Sequence, residues 1–237
     1  MATPGAYTYE ELIALTKQAL GGRNTGLMTD AWYGDRVNVG YARLTTFQGP
    51  VQAPGMSQPQ MRVLRFFELY STDDRTIVSG LSNNLITPTA TADKVVCVDN
   101  LYDLTNDVPL RRQSRRYMDR RNPQGTGRPR EWAPGGDNGA GYYIYPIPGN
   151  ANEQISVRET TYQYPDELTA TETPTIPSPW HTAIWLAAAA EAAALIDWPE
   201  KEAEMEGRFM KFIAERRSPV EEAGAGGGRR FFSIGRP

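Results

Sequence analysis

Eight consecutive residues, Ala187-Ala-Ala-Ala-Glu-Ala-Ala-Ala, leave this chain little choice of backbone conformation. Alanine has the highest intrinsic helix propensity and loses no side-chain entropy in a helix. The run lies inside residues 174–199, where Pro174, Pro177 and Pro179 form a stiff approach and Pro199 follows the end. Ser178 is placed to cap the helix with its hydroxyl, and Pro179 suits the first helical position, where its missing N–H has no intrahelical partner. Ile184, Ala188, Ala192 and Leu195 fall on one stripe at helical spacing. Small side chains on that stripe let a neighbouring helix come close, so the rest of the fold has to supply one.

Candidates lie at both ends of the chain. A second helix starts at Pro199, with Glu200 and Glu202 in its first turn, Arg216 and Arg217 in its last, and Met205, Phe209, Phe212 and Ile213 as its apolar face. Together the two make an αα-hairpin. Near the N-terminus, Thr8 with Glu11 forms a capping box and Tyr7 with Leu12 a hydrophobic staple, so a helix begins at Tyr9 and ends at Gly21-Gly22. Another starts after Thr29, returns Tyr33, Val37, Gly40, Tyr41, Leu44 and Phe47 on one face, and is stopped by Gly49-Pro50. Two short helices cannot bury both stripes alone, and the C-terminal hairpin completes them.

Between the helical ends the pattern changes. Residues 50–60 carry Pro50, Pro54, Gly55 and Pro59 and read as a linker. Residues 61–70 are rich in aromatic and branched side chains, Ser71-Thr-Asp-Asp reads as a turn, and Thr76-Ile-Val as the return of a hairpin. Further strands are predicted at 94–104, 141–147 and 153–164; in the last, Ile155, Val157 and Glu159 alternate with Ser156, Arg158 and Thr160. Regular short strands separated by proline and glycine predict an antiparallel sheet or small sandwich. The fold class expected is therefore α+β: a discontinuous helical bundle of two N-terminal and two C-terminal helices with an inserted antiparallel β domain. The expected divisions are 1–60, 61–173, 174–217 and a tail at 218–237.

Bulk properties exclude several classes. The apolar stretch 182–196 is alanine-dominated, carries Glu191 and is shorter than the ~20 residues a membrane helix needs. Met1-Ala-Thr-Pro-Gly has neither a basic start nor an apolar signal core, so no membrane partner and no secretion are expected. A single cysteine, Cys97, leaves no disulfide framework and no thiol cluster for zinc. A net charge of −3 opposes a general nucleic-acid binder, whose affinity comes from a basic surface.

Motifs for chemistry are missing. The sequence holds no phosphate-cradling Gly-x-x-x-x-Gly-Lys, no His-Glu-x-x-His and no Gly-x-Ser-x-Gly. The only histidine, His181, reads as an interface or surface residue, and Glu191 as solvent-facing or paired with an arginine. Trp132, Tyr142, Tyr143 and Tyr145 suit a sugar platform or sheet packing equally. No catalytic residue, metal site or cofactor is assigned.

Two segments look made for partners. Arg111, Arg112, Arg115, Arg116, Arg120 and Arg121 cluster around Tyr117, with Ser114 placed to cap a helical turn over 115–121. They fit the acids of a neighbouring subunit or partner, or the backbone of DNA with Tyr117 stacking. At the other site, a Gly-rich linker precedes Arg229, Arg230, Phe231, Phe232, Ile234 and Arg236, a basic and aromatic end suited to a partner.

The order of features resembles that of tailed-phage head-to-tail adaptor proteins. It rests on Gly127-Arg-Pro-Arg-Glu-Trp, Gly141-Tyr-Tyr-Ile-Tyr-Pro-Ile-Pro, Tyr162-Gln-Tyr-Pro-Asp-Glu-Leu, and Thr173-Pro-Thr-Ile-Pro-Ser-Pro-Trp-His before the alanine helix. The resemblance implies a non-enzymatic virion protein that assembles as a dodecameric ring beneath the portal, extends the DNA channel and carries the tail or nozzle. It implies as partners other copies of the chain, portal protein, tail or nozzle protein, and passing genomic DNA without sequence-specific contact. The location implied is the virion, with assembly in host cytoplasm, and the tail end from Arg229 to Arg236 becomes a portal-docking segment. The alternatives are another tail or nozzle protein, a nucleic-acid-binding module on 111–121, and last an enzyme acting on glycans or nucleic acid through a carboxylate pair.

Overall fold

The computed structural model of the chain describes residues 6–22, 27–51, 58–79, 85–90, 94–120, 125–135 and 140–216. Among them, helices run Tyr9–Ala19 (α1), Asp30–Thr45 (α2), Arg115–Asp119 (α3), His181–Leu195 (α4) and Pro199–Glu215 (α5). Strands run Gln48–Val51 (β1), Gln60–Val63 (β2), Tyr70–Ile77 (β3), Leu85–Ile86 (β4), Val95–Asp103 (β5), Val108–Pro109 (β6), Arg111–Arg112 (β7), Glu131–Gly135 (β8), Gly141–Tyr145 (β9) and Ile155–Gln163 (β10). The fold is α+β, with residues 69–164 forming one compact unit and the chain on either side of them another.

In the flanking unit, α4 packs against α1, α2 and α5. Its apolar surface is wider than the predicted stripe: Ala183, Leu186, Ala187, Ala189, Ala190 and Ala193 are buried beside Ile184, Ala188 and Ala192. Small residues are needed nearly all round because neighbours approach from three directions. Leu195, expected on the stripe, is 58% exposed in the last turn. The closest approach is at Gly40 of α2, where an added Cβ would lie 2.7 Å from both Ala188 N and Ile184 O.

The start of α4 differs from the expected Ser178 cap. A 3₁₀ turn, Ser178–Trp180, precedes the helix, and neither it nor α4 has a side-chain cap. Trp180 is buried edge-on to Phe66 (5.4 Å) and Phe212 (6.1 Å), which anchors the turn. His181 is buried too, correcting its reading as an interface or surface residue. Its Nδ1 accepts the Tyr7 backbone N–H at 3.0 Å, while Nε2 lies 2.9 Å from the Ile176 carbonyl and takes the donor role.

The capping box of Thr8 and Glu11 is present and α2 starts after Thr29 as expected; the Thr29 hydroxyl caps it by accepting the Trp32 N–H. Gly49 and Pro50 do not stop α2, which ends at Thr45; both lie in β1, paired antiparallel with β2. Arg62 of β2 then donates to the carbonyls of Ile213 (2.5 Å) and Arg216, satisfying orphan groups at the end of α5. Arg216 lies just beyond that helix, with its guanidinium over Phe212 at 4.4 Å, and Arg217 falls outside the described residues.

Polar side chains fasten the segment leading into α4. Asn38 of α2 brackets Leu168, donating to its carbonyl at 3.2 Å and accepting its N–H at 2.8 Å. The Tyr41 hydroxyl meets Thr175 Oγ1 at 2.9 Å and accepts the Thr175 N–H at 3.1 Å. Arg43 joins three helices by pairing with Glu191 of α4 (3.1 Å) and Glu206 of α5 (2.6 Å).

Residues 69–164 form two four-stranded sheets, in the orders β3-β10-β5-β6 and β4-β9-β8-β7. The first is antiparallel throughout; the second departs from the expected wholly antiparallel arrangement because β7 runs parallel to β8. Ile77, Val98, Leu101, Ile155 and Val157 of one sheet share a core with Ile86, Trp132, Tyr142 and Ile144 of the other. The predicted turn at Ser71–Asp74 is instead part of β3, an edge strand with a largely solvated pattern, where Asp74 pairs across to Arg158 at 2.8 Å. Trp132 and Tyr142 are core residues.

Candidate subunit interface

Residues 110–120 begin with a buried anchor. Leu110 is in the sandwich core, and its N–H donates to Leu101 O at 2.9 Å. The chain then joins the edge of the second sheet, where Arg111 N–H donates to Arg130 O (2.9 Å) and Gln113 N–H to Trp132 O (2.7 Å). Ser114 caps α3 as predicted, its hydroxyl accepting the Tyr117 N–H at 3.2 Å. Met118 is buried and pins the short helix. With Leu110 and Met118 facing in, the intervening arginines face out.

Arg111, Arg112, Arg115, Arg116 and Arg120 are all exposed. Two of them are steadied by aromatic rings: the Arg112 guanidinium lies 5.4 Å from the Trp132 ring centroid and that of Arg115 lies 3.3 Å from the centre of Tyr143. Tyr117 is half-buried. Arg121 falls outside the described residues, as do the tail residues Arg229, Arg230, Phe231, Phe232, Ile234 and Arg236.

Strand pairing adds two arginines that the sequence reading left out. Because β7 pairs with Glu131 and Trp132 of β8, the segment just before β8 arrives beside Arg111. Arg130 is exposed there and Arg128 half-buried. Both line a concavity of about 490 Å³ with Gly127, Glu131, Tyr145 and Pro146. Alternate placement of Arg128 and Arg130 around Pro129 was the available signal, but their proximity to Arg111 needed the parallel register.

Glu159 and Tyr142 are engaged with each other inside the sandwich. Glu159 is fully buried in the sandwich, where it accepts from the Tyr142 hydroxyl (2.5 Å) and the Thr89 N–H (2.7 Å) and pairs with Arg75 at 3.4 Å. Burial, and then the charge of Glu159, push the Tyr142 hydroxyl pKa far up, so it stays a donor. Burial pushes the His181 pKa down. Among the described residues, no three or more His, Cys, Asp or Glu side chains are grouped to hold a metal ion, and no helix is long and apolar enough to cross a membrane.

A protein-family model described as SU10 adaptor protein matches residues 7–230. No curated protein matches the chain.

Proposed function

The chain belongs to the SU10 adaptor protein family, and on that premise we propose that it is a structural protein of a tailed-phage virion, placed at the head-to-tail interface. Copies assemble into a ring, a dodecamer, that binds the portal, continues the DNA channel and carries the tail or nozzle. The observation that carries this reading is the extent of the family match, which takes in the helical unit and the β unit together. The use of His181 and Glu159 as buried structural groups supports a non-enzymatic role.

Within this reading, Arg111, Arg112, Arg115, Arg116, Arg120 and Arg121 contact a subunit or partner. The segment from Arg229 to Arg236 docks on the portal. Electron microscopy of the purified protein, alone and with portal, tests the proposal: rings stacked on portal are expected, and a protein that stays monomeric in both samples overturns it. Deleting 224–237 is expected to weaken portal binding while leaving the melting of the folded units unchanged; unaltered affinity removes the docking role. The exposed arginines also favour a second reading, contact with DNA, which predicts duplex affinity that falls steeply with salt.

A further inference from the structure

The pairing of β7 with β8 builds a surface that no single stretch of sequence holds. Arg111 and Arg130 lie on adjacent backbone segments linked by a 2.9 Å hydrogen bond, and both side chains are exposed. Arg116 lies on α3, which packs against β8, and Arg120 is the residue just after that helix; both are exposed and extend the basic surface. Residues 108–130 contain eight arginines against one acid, Asp119, in a chain whose total charge is −3, so the remainder of the chain is strongly acidic. Duplex DNA would be attracted to the strip and repelled by that remainder, whereas a second copy of the chain offers the opposite sign to each.

We infer that the strip formed by Arg111, Arg116, Arg120 and Arg130 docks on the first turn of α5 in a second copy, at Glu200 and Glu202. This rests on the ring reading and names the surfaces that make it. Both glutamates are exposed and form no ion pair among the described residues, whereas Glu204, further along the helix, is paired with Lys201 and Arg208. Strip and acids are different patches, so the contact is heterologous: each docked copy keeps one patch of each sign until rotation closes the ring. Arginine suits the contact because its planar fork meets carboxylates with two parallel hydrogen bonds.

A charge exchange tests it. One variant carries Arg111→Glu, Arg116→Glu and Arg130→Glu; the other carries Glu200→Lys and Glu202→Lys. These five side chains are exposed, and circular dichroism melts verify that both variants fold. With portal present and mass photometry as the readout, each variant alone should need at least about tenfold more protein than wild type to form rings. An equimolar mixture should recover wild-type assembly, because each reversed patch then finds its complement on the other variant. Normal rings from either variant alone, or no recovery in the mixture, overturn the pairing while leaving the ring reading intact. Failure of wild type to form rings overturns both, and loss of duplex binding without loss of assembly assigns the strip to DNA.

Discussion

His181 Nδ1 accepts the backbone N–H of Tyr7 across 174 residues of sequence, tying the approach to α1 onto the start of α4. The ring has no room for a second proton: Nδ1 faces a donor, and Nε2–H is engaged with the Ile176 carbonyl. Burial lowers the folded pKa below its ordinary value of 6.5. The unfolded chain therefore binds more protons than the folded chain below that value, and stability falls as pH drops through 6.5 toward the folded pKa. His181 is the only histidine, so melts between pH 7 and pH 5 isolate it from the carboxylates below. Wild type should lose thermal stability across this window, and His181→Gln should be less stable at pH 7 but nearly flat. An equally steep variant would show that another group titrates.

Gly40→Ala should destabilise the helical unit by about 1–3 kcal/mol despite the better helix propensity of alanine. The added methyl meets backbone atoms of Ile184 and Ala188, which cannot turn aside, so α2 and α4 must separate. Gly34→Ala is the control: its methyl meets the end of the Tyr9 side chain, which can swing away. Chemical denaturation followed at 222 nm should rank Gly40→Ala well below Gly34→Ala. Ala188→Leu, which enlarges the same contact from the other side, should behave like the former.

Arg43→Met should destabilise the same unit by about 1–2 kcal/mol. The methionine retains packing near Phe209, whose ring lies 5.1 Å from the guanidinium, but releases Glu191 and Glu206. Since these groups are about one-third exposed, the difference from wild type should shrink in 1 M salt. A salt-independent difference would assign the effect to packing.

Tyr142→Phe should cost the β unit about 1–3 kcal/mol by removing one donor from the buried Glu159 carboxylate. Near-ultraviolet circular dichroism can follow the aromatic core of the sandwich directly. A variant as stable as wild type would mean that the hydroxyl bond contributes nothing net.

Much of the secondary structure is local in origin and was readable from particular residues. Thr8 with Glu11, Ser114 and Gly21-Gly22 satisfy backbone groups within a few residues, and each acts as the spacing predicts. The alternation in 155–159 places Glu159 on the buried face with Ile155 and Val157. Local reading failed where a distant partner decided the outcome. Ser71–Asp74 has turn composition, yet β10 pairs with it along its length; Gly49-Pro50 has stop composition, yet β2 pairs with it. Trp180 and His181 start α4 through packing and long-range bonds where a Ser178 cap was expected. The arginines of 111–120 were legible as an exposed cluster, but Arg128 and Arg130 joined them only through a parallel register that no hairpin rule predicts.

The amino-acid sequence alone determined that residues 187–194 are helical, that helices stand at both ends of the chain, and that arginines gather between them, because propensity, capping and charge act over short distances. Tertiary structure decided that α4 is enclosed from several sides, that Gly40 is where α2 touches its backbone, and that His181 is a buried link. Those outcomes depend on which surfaces meet, and burial turns an alanine run, a glycine and a lone histidine into contacts that join α4 and its start to α1, α2 and Tyr7, more than a hundred residues away.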